Sequence, residues 1–345
     1  MLRSVATAVA VIGGTTLLGA AAPASAQSAA EFYKGGQITY NLATSSGGSW
    51  ALYGRVLARH MSKHIPGNPN IVAQYMPGAG GVKAANYMFN AASKTGSFMG
   101  TPLSTSLLYA AMNPSKVKFD APKFEWIGSQ ARIQDVISVW HTVPVKSIED
   151  ARKRVVTVGA TGRGSNSFLD IAMANNLLGT QFKVVLGYKG GAALNNAMER
   201  GETEGRSNTW DGFYAAKPQW IEEKKIRHLV QIGPSKLPII GDDVPLFSDL
   251  LTDPKDKAVA DFLAVGLTVG RTVYTPPGTP KYIVEALRTA FDATMKDPAY
   301  IADAKKRRMD TTTPKTGAEV ADIVTKTFAS PKDVLDRARK VLTLP

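Results

Sequence analysis

Four clusters of small residues carry most of the chemistry this sequence offers: Ser45–Ser49, Pro77–Gly81, Thr161–Ser167 and Lys189–Gly191. Each follows a short apolar run and precedes a stretch with helical spacing. Glycine lets a ligand come close to the main chain. A helix start presents N–H groups without partners and a partial positive charge. Together they form an anion site that needs no formal cation. One such loop is ordinary turn chemistry; four of one kind, spread over both halves of a chain, point to capture of an acid. Arg163, inside the third cluster, adds a guanidinium that can grip a carboxylate with two parallel hydrogen bonds, or else points outward.

Catalytic patterns are absent. His60 and His64 stand one helical turn apart, but Met-Ser-Lys lies between them, so the zinc-protease H-E-x-x-H is not formed. Neither the nucleophile elbow G-x-S-x-G nor the phosphate loop G-x-x-x-x-G-K-[ST] occurs. "GATGRGSNS" is glycine-rich without being G-x-G-x-x-G. Asp242-Asp243 before Pro245 reads as a surface turn rather than a carboxylate pair. No cysteine is present, which excludes disulfides, thiol chemistry and Cys-ligated metals. No metal or cofactor is expected.

The elements that must position the clusters follow a repeated grammar. "QITYNLA" (37–43) reads as a strand, and Leu52, Tyr53, Val56, Leu57 and Met61 mark one face of the helix after it. "NIVAQYM" (70–76) is a strand, 82–91 a helix, "SFMGT" (97–101) a strand and 104–112 a helix. Residues 124–142 read as one long extended stretch. "SIEDARK" (147–153) is a helix capped by Ser147 and Asp150. Strand, loop and helix then alternate again through "IRHLVQIG" (226–233). "AVGLTVGRTVYTPPGTP" (264–280) reads as extended, Pro280 opens a helix, and two more helices follow. Alternating strands and helices specify an α/β fold with mostly parallel sheets. Two such units joined by two extended segments predict two lobes with a cleft between them, the usual place for a ligand.

The chain has 345 residues, 44% hydrophobic and 20% charged, enough for two domains and ordinary for a globular protein. Its net charge is +13, but the basic residues are scattered. The densest run, Lys305–Arg308, has no interleaved aromatics and reads as a solvated helix face, so no nucleic-acid partner is expected. Met1-Leu2-Arg3, an apolar stretch to Ala22 and Ala24-Ser25-Ala26 form the three parts of a secretory signal peptide at 1–26, cleaved near Ala26/Gln27. The expected domains are lobe 1, residues 27–137 plus 265–345, and lobe 2, residues 138–264.

"NPNIVAQYMPGAGGVKAANYMFNAASKTGSFMGT", "GYKGGAALNNAMERGETEG" and "VYTPPGTPKYIVEALRTAFDATMKDPAY" together resemble the signatures of the tripartite tricarboxylate transporter receptors, the Bug/TctC family. The resemblance extends over nearly the whole mature chain. It implies a type II-like periplasmic binding protein, monomeric, whose lobes close on a small organic acid and hand it to a membrane permease of one large and one small subunit. The ligand contacts it implies are Ser45, Ser46, Gly47, Gly48, Ser49 and Trp50; Gly78, Ala79 and Gly80; Ser104 and Thr105; Thr161, Gly162, Arg163, Gly164, Ser165 and Asn166; and Asn208. The first loop departs from the family's P-G-G-x-x-D, reading Ser46-Gly47-Gly48-Ser49-Trp50-Ala51. Without the Asp, an amino-group ligand is disfavoured, and Trp50 offers a flat surface to an aromatic or bulky carboxylate or else packs between the lobes. Trp210 and Tyr214 line the cleft or fill the second core. Two rival classes remain: a ligand-presenting sensor for a histidine-kinase ectodomain, and a secreted enzyme. The expected motion is hinge closure about segments near 136–141 and 265–275.

Overall fold

Parallel pairing of three short apolar runs builds the first sheet. The computed structural model describes residues 28–344; the signal peptide read at 1–26 lies outside them. A capped turn of helix, α1 (Ala29–Tyr33), leads to β1 (Gln37–Leu42), α2 (Ser49–Met61), β2 (Asn70–Tyr75), α3 (Val82–Asn90), β3 (Phe98–Thr101), α4 (Ser104–Met112) and β4 (Glu125–Ser129). β1 pairs with β2 from Gln37↔Asn70 to Leu42↔Tyr75 and with β3 from Thr39↔Phe98 to Leu42↔Thr101, all parallel. Ile38, Tyr40 and Leu42 are buried beneath Leu57 and Met61 of α2, while Leu52, Tyr53 and Val56 of the stripe legible in the sequence pack against Tyr300 and Ala304 instead.

The second sheet is formed by β5 (Asp135–Trp140), β6 (Val156–Gly159), β7 (Phe182–Val185), β8 (Gly205–Thr209) and β9 (Ile226–Ile232), in the order β7-β6-β8-β5-β9. Its helices are α5 (Asn166–Leu178), α6 (Gly191–Glu199), α7 (Trp210–Tyr214) and α8 (Pro218–Glu222). The chain then returns through α9 (Pro254–Val269) to β10 (Thr272–Thr275), α10 (Lys281–Met295), α11 (Pro298–Lys306), β11 (Lys315–Thr316), α12 (Gly317–Phe328) and α13 (Lys332–Val341). The first sheet therefore has the order β11-β4-β10-β3-β1-β2. Both sheets are mixed: parallel where strand, loop and helix alternate, antiparallel at β10, β4 and β11 and around β5.

Several sequence expectations are corrected. Residues 124–142 are two strands in different sheets. "SIEDARK" yields only a short 3₁₀ turn (Asp150–Arg152), although the Ser147–Asp150 reciprocal cap forms: Asp150 N donates to Ser147 Oγ at 3.3 Å and Ser147 N to Asp150 Oδ2 at 3.1 Å. Residues 264–269 are the end of α9, not an extended segment. That helix is capped by Asp253, carries Pro254 in its first turn, and buries apolar residues around most of its girth, so its sequence shows no amphipathic period. Three helices, not two, follow α10. The segment 136–141, expected as a hinge, belongs to an interior strand.

The chain changes sheets at 130–134 and at Gly270-Arg271, and the two crossings are bonded to each other. Gln130 N donates to Arg271 O at 3.0 Å, Arg271 N to Ala131 O at 2.9 Å and Ile133 N to Leu267 O at 2.8 Å. Gly270 has φ +53°, and a Cβ there would meet Ala131 O at 1.9 Å, so only glycine permits this close approach. The C-terminal helix straps both sheets together: Ala338, Val341 and Leu342 share a core with Met112 of α4 and Ile171 of α5.

Candidate functional site

Strands β2, β1 and β3 lie side by side and parallel, so the loops after them leave from one edge of the first sheet. Ser45–Ser49 leads into α2, Pro77–Gly81 into α3, and a short turn into Ser104 of α4. Gly48 and Leu103, at the starts of α2 and α4, supply no side-chain cap, which leaves first-turn N–H groups of both helices available. Cβ atoms on Gly47 or Gly48 would meet nothing within 4 Å, so this stretch of main chain faces open space. Arg55 Nη1 holds the loop's outer limb through Ser46 O at 2.7 Å. Ser104 and Thr105 are buried, and Thr105 Oγ1 donates to Gly80 O at 3.2 Å.

Across the cleft, β6 feeds the Thr161–Ser167 loop. The loop is braced internally: Thr161 N donates to Ser167 Oγ at 3.2 Å and Ser165 Oγ to Gly162 O at 2.7 Å. It touches the loop of the other lobe. A Cβ on Gly80, which has φ +60°, would stand 2.5 Å from Gly164 O. Ser104 and Thr105 from the first lobe and Asn166 and Asp170 from the second share one cavity of about 30 Å³, continued by Leu108, Met173 and Leu267. Two of the four small-residue clusters, Pro77–Gly81 and Thr161–Ser167, thus meet beside Ser104-Thr105, while Ser45–Ser49 leaves the same edge of the first sheet. The fourth, Lys189–Gly191, is bonded within the second lobe, where Arg206 Nη1 donates to Gly191 O at 3.0 Å.

Other expected residues lie at the margins of this convergence. Arg163 is exposed; its guanidinium lies over Phe168, 5.5 Å from the ring centre, and donates to Leu344 O at 3.3 Å. Asn208 sits under the start of α7, where a Cβ on Gly212 would meet its amide at 2.8 Å. Trp210 stacks on Tyr214 within the second core, rings 5.5 Å apart. Trp50 is half-buried and packs against the core shared by the lobes, with Arg271 at 4.4 Å from its ring.

Arg271 is the residue the sequence reading missed. It is 1% exposed and leaves the crossing before β10 to reach the first turn of α2. Its Nη2 donates to Ser49 Oγ at 2.9 Å and to Asp211 Oδ2 of α7 at 2.6 Å. Its guanidinium also lies 4.7 Å from the Tyr53 ring centre. Nη1 is buried without a partner. An arginine set in "TVGRTVYT", an otherwise uncharged apolar run, was the available signal, since buried arginine is rare unless paired.

A second charged cluster is buried inside the second lobe. Asn166 Nδ2 donates to Asp135 Oδ2, and Ser207 Oγ donates to Asp170 Oδ2 at 2.5 Å. Burial pushes both carboxyls above their ordinary values, and at Asp170 the Asp135 charge adds to its burial. Arg206 donates from Nε to Ser207 O and from Nη1 to Gly191 O and Asn195 Oδ1, and burial lowers it to about 9.

No family model and no curated protein matches the sequence. The fold, however, is similar to those of solved proteins. A structure described as a periplasmic transporter superposes with TM-score 0.69 at 22% identity, covering 88% of this chain and 98% of its own. The periplasmic binding protein BugD gives 0.68 at 17% identity over 90% and 98%. MatC from Rhodopseudomonas palustris, solved with bound malate, gives 0.68 at 18% identity over 87% and 98%. The chain has the two-lobed α/β fold of the periplasmic solute-binding proteins, BugD among them.

Proposed function

We propose that this protein is a periplasmic receptor that captures a small organic carboxylate between its lobes and delivers it to a tripartite tricarboxylate-type permease of one large and one small subunit. The observation that carries the reading is the meeting of Pro77–Gly81, Ser104-Thr105 and Thr161–Asn166, from two sheets, at the sheet edge from which the open main chain of Gly47-Gly48 also leaves. The malate held by a protein of the same fold supports an acid as the ligand class.

In this mechanism the carboxylate docks first on the starts of α2 and α4, where each charge–dipole contact is worth about 0.3–1 kcal/mol exposed and about 2 when partly buried. The Thr161–Asn166 loop then completes the cage. The crossings at 130–134 and 270–271 carry the rotation, and the open–closed balance shifts by the ligand's differential affinity. The positive net charge speeds anion capture at low salt without setting specificity.

A thermal-shift screen of the mature protein against di- and tricarboxylates, aromatic acids and amino acids tests the reading. At a hundred times Kd an acid adds about 2.7 kcal/mol, a rise of about 4 °C for a chain of this size. No shift with any acid would overturn it.

A further inference from the structure

We infer that Arg271 is the cation that receives the ligand's carboxylate, and that the carboxylate of Asp211 occupies its place when no ligand is bound. The inference rests on the receptor reading above and names the residue that sets its charge specificity. Three observations carry it. Arg271 is 1% exposed yet keeps Nη1 without a partner, an arrangement that one more acceptor would complete. Its guanidinium stands at the first turn of α2, bonded to Ser49 Oγ and lying against Trp50 and Tyr53, next to the main chain of Gly47-Gly48 that no side chain covers. The acceptor now on Nη2, Asp211 Oδ2 at 2.6 Å, comes from α7 of the other lobe.

A guanidinium has a flat fork that matches one carboxylate with two parallel bonds. Here Asp211 takes Nη2 and leaves Nη1 unused. An incoming acid with free rotation can use both, and the helix start beside it adds N–H donors that Asp211 does not reach in this structure. Asp211 therefore acts as an internal acid. It neutralises a buried cation, draws the lobes together, and sets a threshold that a ligand must exceed. Neutral analogues, amides and esters, cannot displace it. The aromatic walls around the guanidinium have no charge of their own and leave the recognised feature as a single carboxylate, not a particular chain length.

The test compares wild type with Asp211→Asn, Asp211→Ala, Arg271→Lys and Arg271→Gln, using acetate, benzoate, adipate and adipamide as probes in calorimetry. Melting curves confirm that each variant folds, and the lysine variant keeps a charge where glutamine fails to fold. Removing the competing carboxylate is expected to tighten acid binding by about tenfold, the factor by which a resident occupant favoured ten to one would mask the site. Adipamide is expected not to bind, Arg271→Gln to lose acid binding, and Arg271→Lys to weaken it. Small-angle scattering without ligand reads the second consequence, a larger radius of gyration for Asp211→Ala than for wild type. Acid binding that is unchanged or weaker in Asp211→Ala, or equal in Arg271→Lys and wild type, would overturn the inference while leaving the receptor reading in place. Failure of every acid to bind wild type and all variants would overturn both.

Discussion

Arg271 and Arg206 are both buried arginines with aspartates nearby, and their surroundings differ in one respect that separates function from scaffolding. The partners of Arg206, namely Gly191, Asn195 and Ser207, belong to the second lobe, and every buried nitrogen it has is bonded. The partners of Arg271 come from both lobes, Ser49 from one and Asp211 from the other, and Nη1 is left over. A cluster confined to one rigid sheet can only stabilise it. A cluster divided across a cleft changes when the cleft moves. An orphaned donor in a buried group costs about 1–3 kcal/mol, a cost that a site which must receive something can carry.

The largest effect expected from breaking the comparison is at Arg271. Arg271→Met strands Asp211 without its cation, and removing one partner of a buried pair costs about 3 kcal/mol or more. Denaturant unfolding should show that loss together with loss of acid binding. Changes to the Arg206 cluster should move stability first, with a smaller effect on binding at Asp170, which also lines the cavity between the lobes. There, Asp170→Ala removes the carboxyl that Ser207 bonds and leaves a cavity, for a loss of about 2–3 kcal/mol. Asp170→Asn, which resembles the protonated acid that burial favours, should cost about 1 kcal/mol or less. Equal losses for the two variants would show that Asp170 is ionised in the folded protein.

A glycine pair sharpens the contrast at intermediate size. Gly80→Ala puts a Cβ 2.5 Å from Gly164 O at a backbone with φ +60°, whereas a Cβ on Gly164 would approach Gly80 no closer than 3.7 Å. The first should hold the lobes apart, at a cost to the closed form of about 1–3 kcal/mol, and weaken any bound acid; the second should leave closure intact. Small-angle scattering distinguishes them.

The smallest effect is on pH dependence, and its sign differs between regions. Asp135 and Asp170 have carboxyls raised in the folded state, so they favour the fold below the ordinary carboxylate range, and that contribution is lost as pH rises through their folded values. On the outer face of the first lobe, burial raises Asp303, but bonds from His60, Arg307 and Arg59 outweigh it and bring its carboxyl to about 2. Its contribution is present above the ordinary range and fades as pH falls towards that value. Asp170→Asn should therefore gain on wild type as pH rises above the ordinary carboxylate range, while Asp303→Asn should lose most of its penalty in acid. Urea titrations at several pH values check both slopes.

Much of this architecture is legible in the sequence because local rules coincide with it. The helical stripe Leu52–Met61 and the glycine clusters after apolar runs place α2, β1 and β2, and two of the loops that meet. What escapes the sequence is set by tertiary burial. α9 is apolar on most of its surface, so its last turn looks like a strand. His60 and His64 pair with Asp303 and Asp297, more than two hundred residues away, at 3.1 and 3.0 Å, a contact no local spacing announces. The same holds for Arg271 and Asp211, which only the return crossing brings together. Arg163 stood in a glycine loop and drew attention for its neighbours; Arg271 stood in an apolar run, and the cost of burying it was the stronger signal.

Hydrogen–deuterium exchange, with and without an acid that raises the melting temperature, is the sharpest test of capture between the lobes. Simultaneous protection of residues 45–52, 78–82, 104–107 and 161–168 is expected, with the crossings 130–134 and 270–271 changing in step. Protection confined to one lobe, or lying away from all four segments, would contradict it.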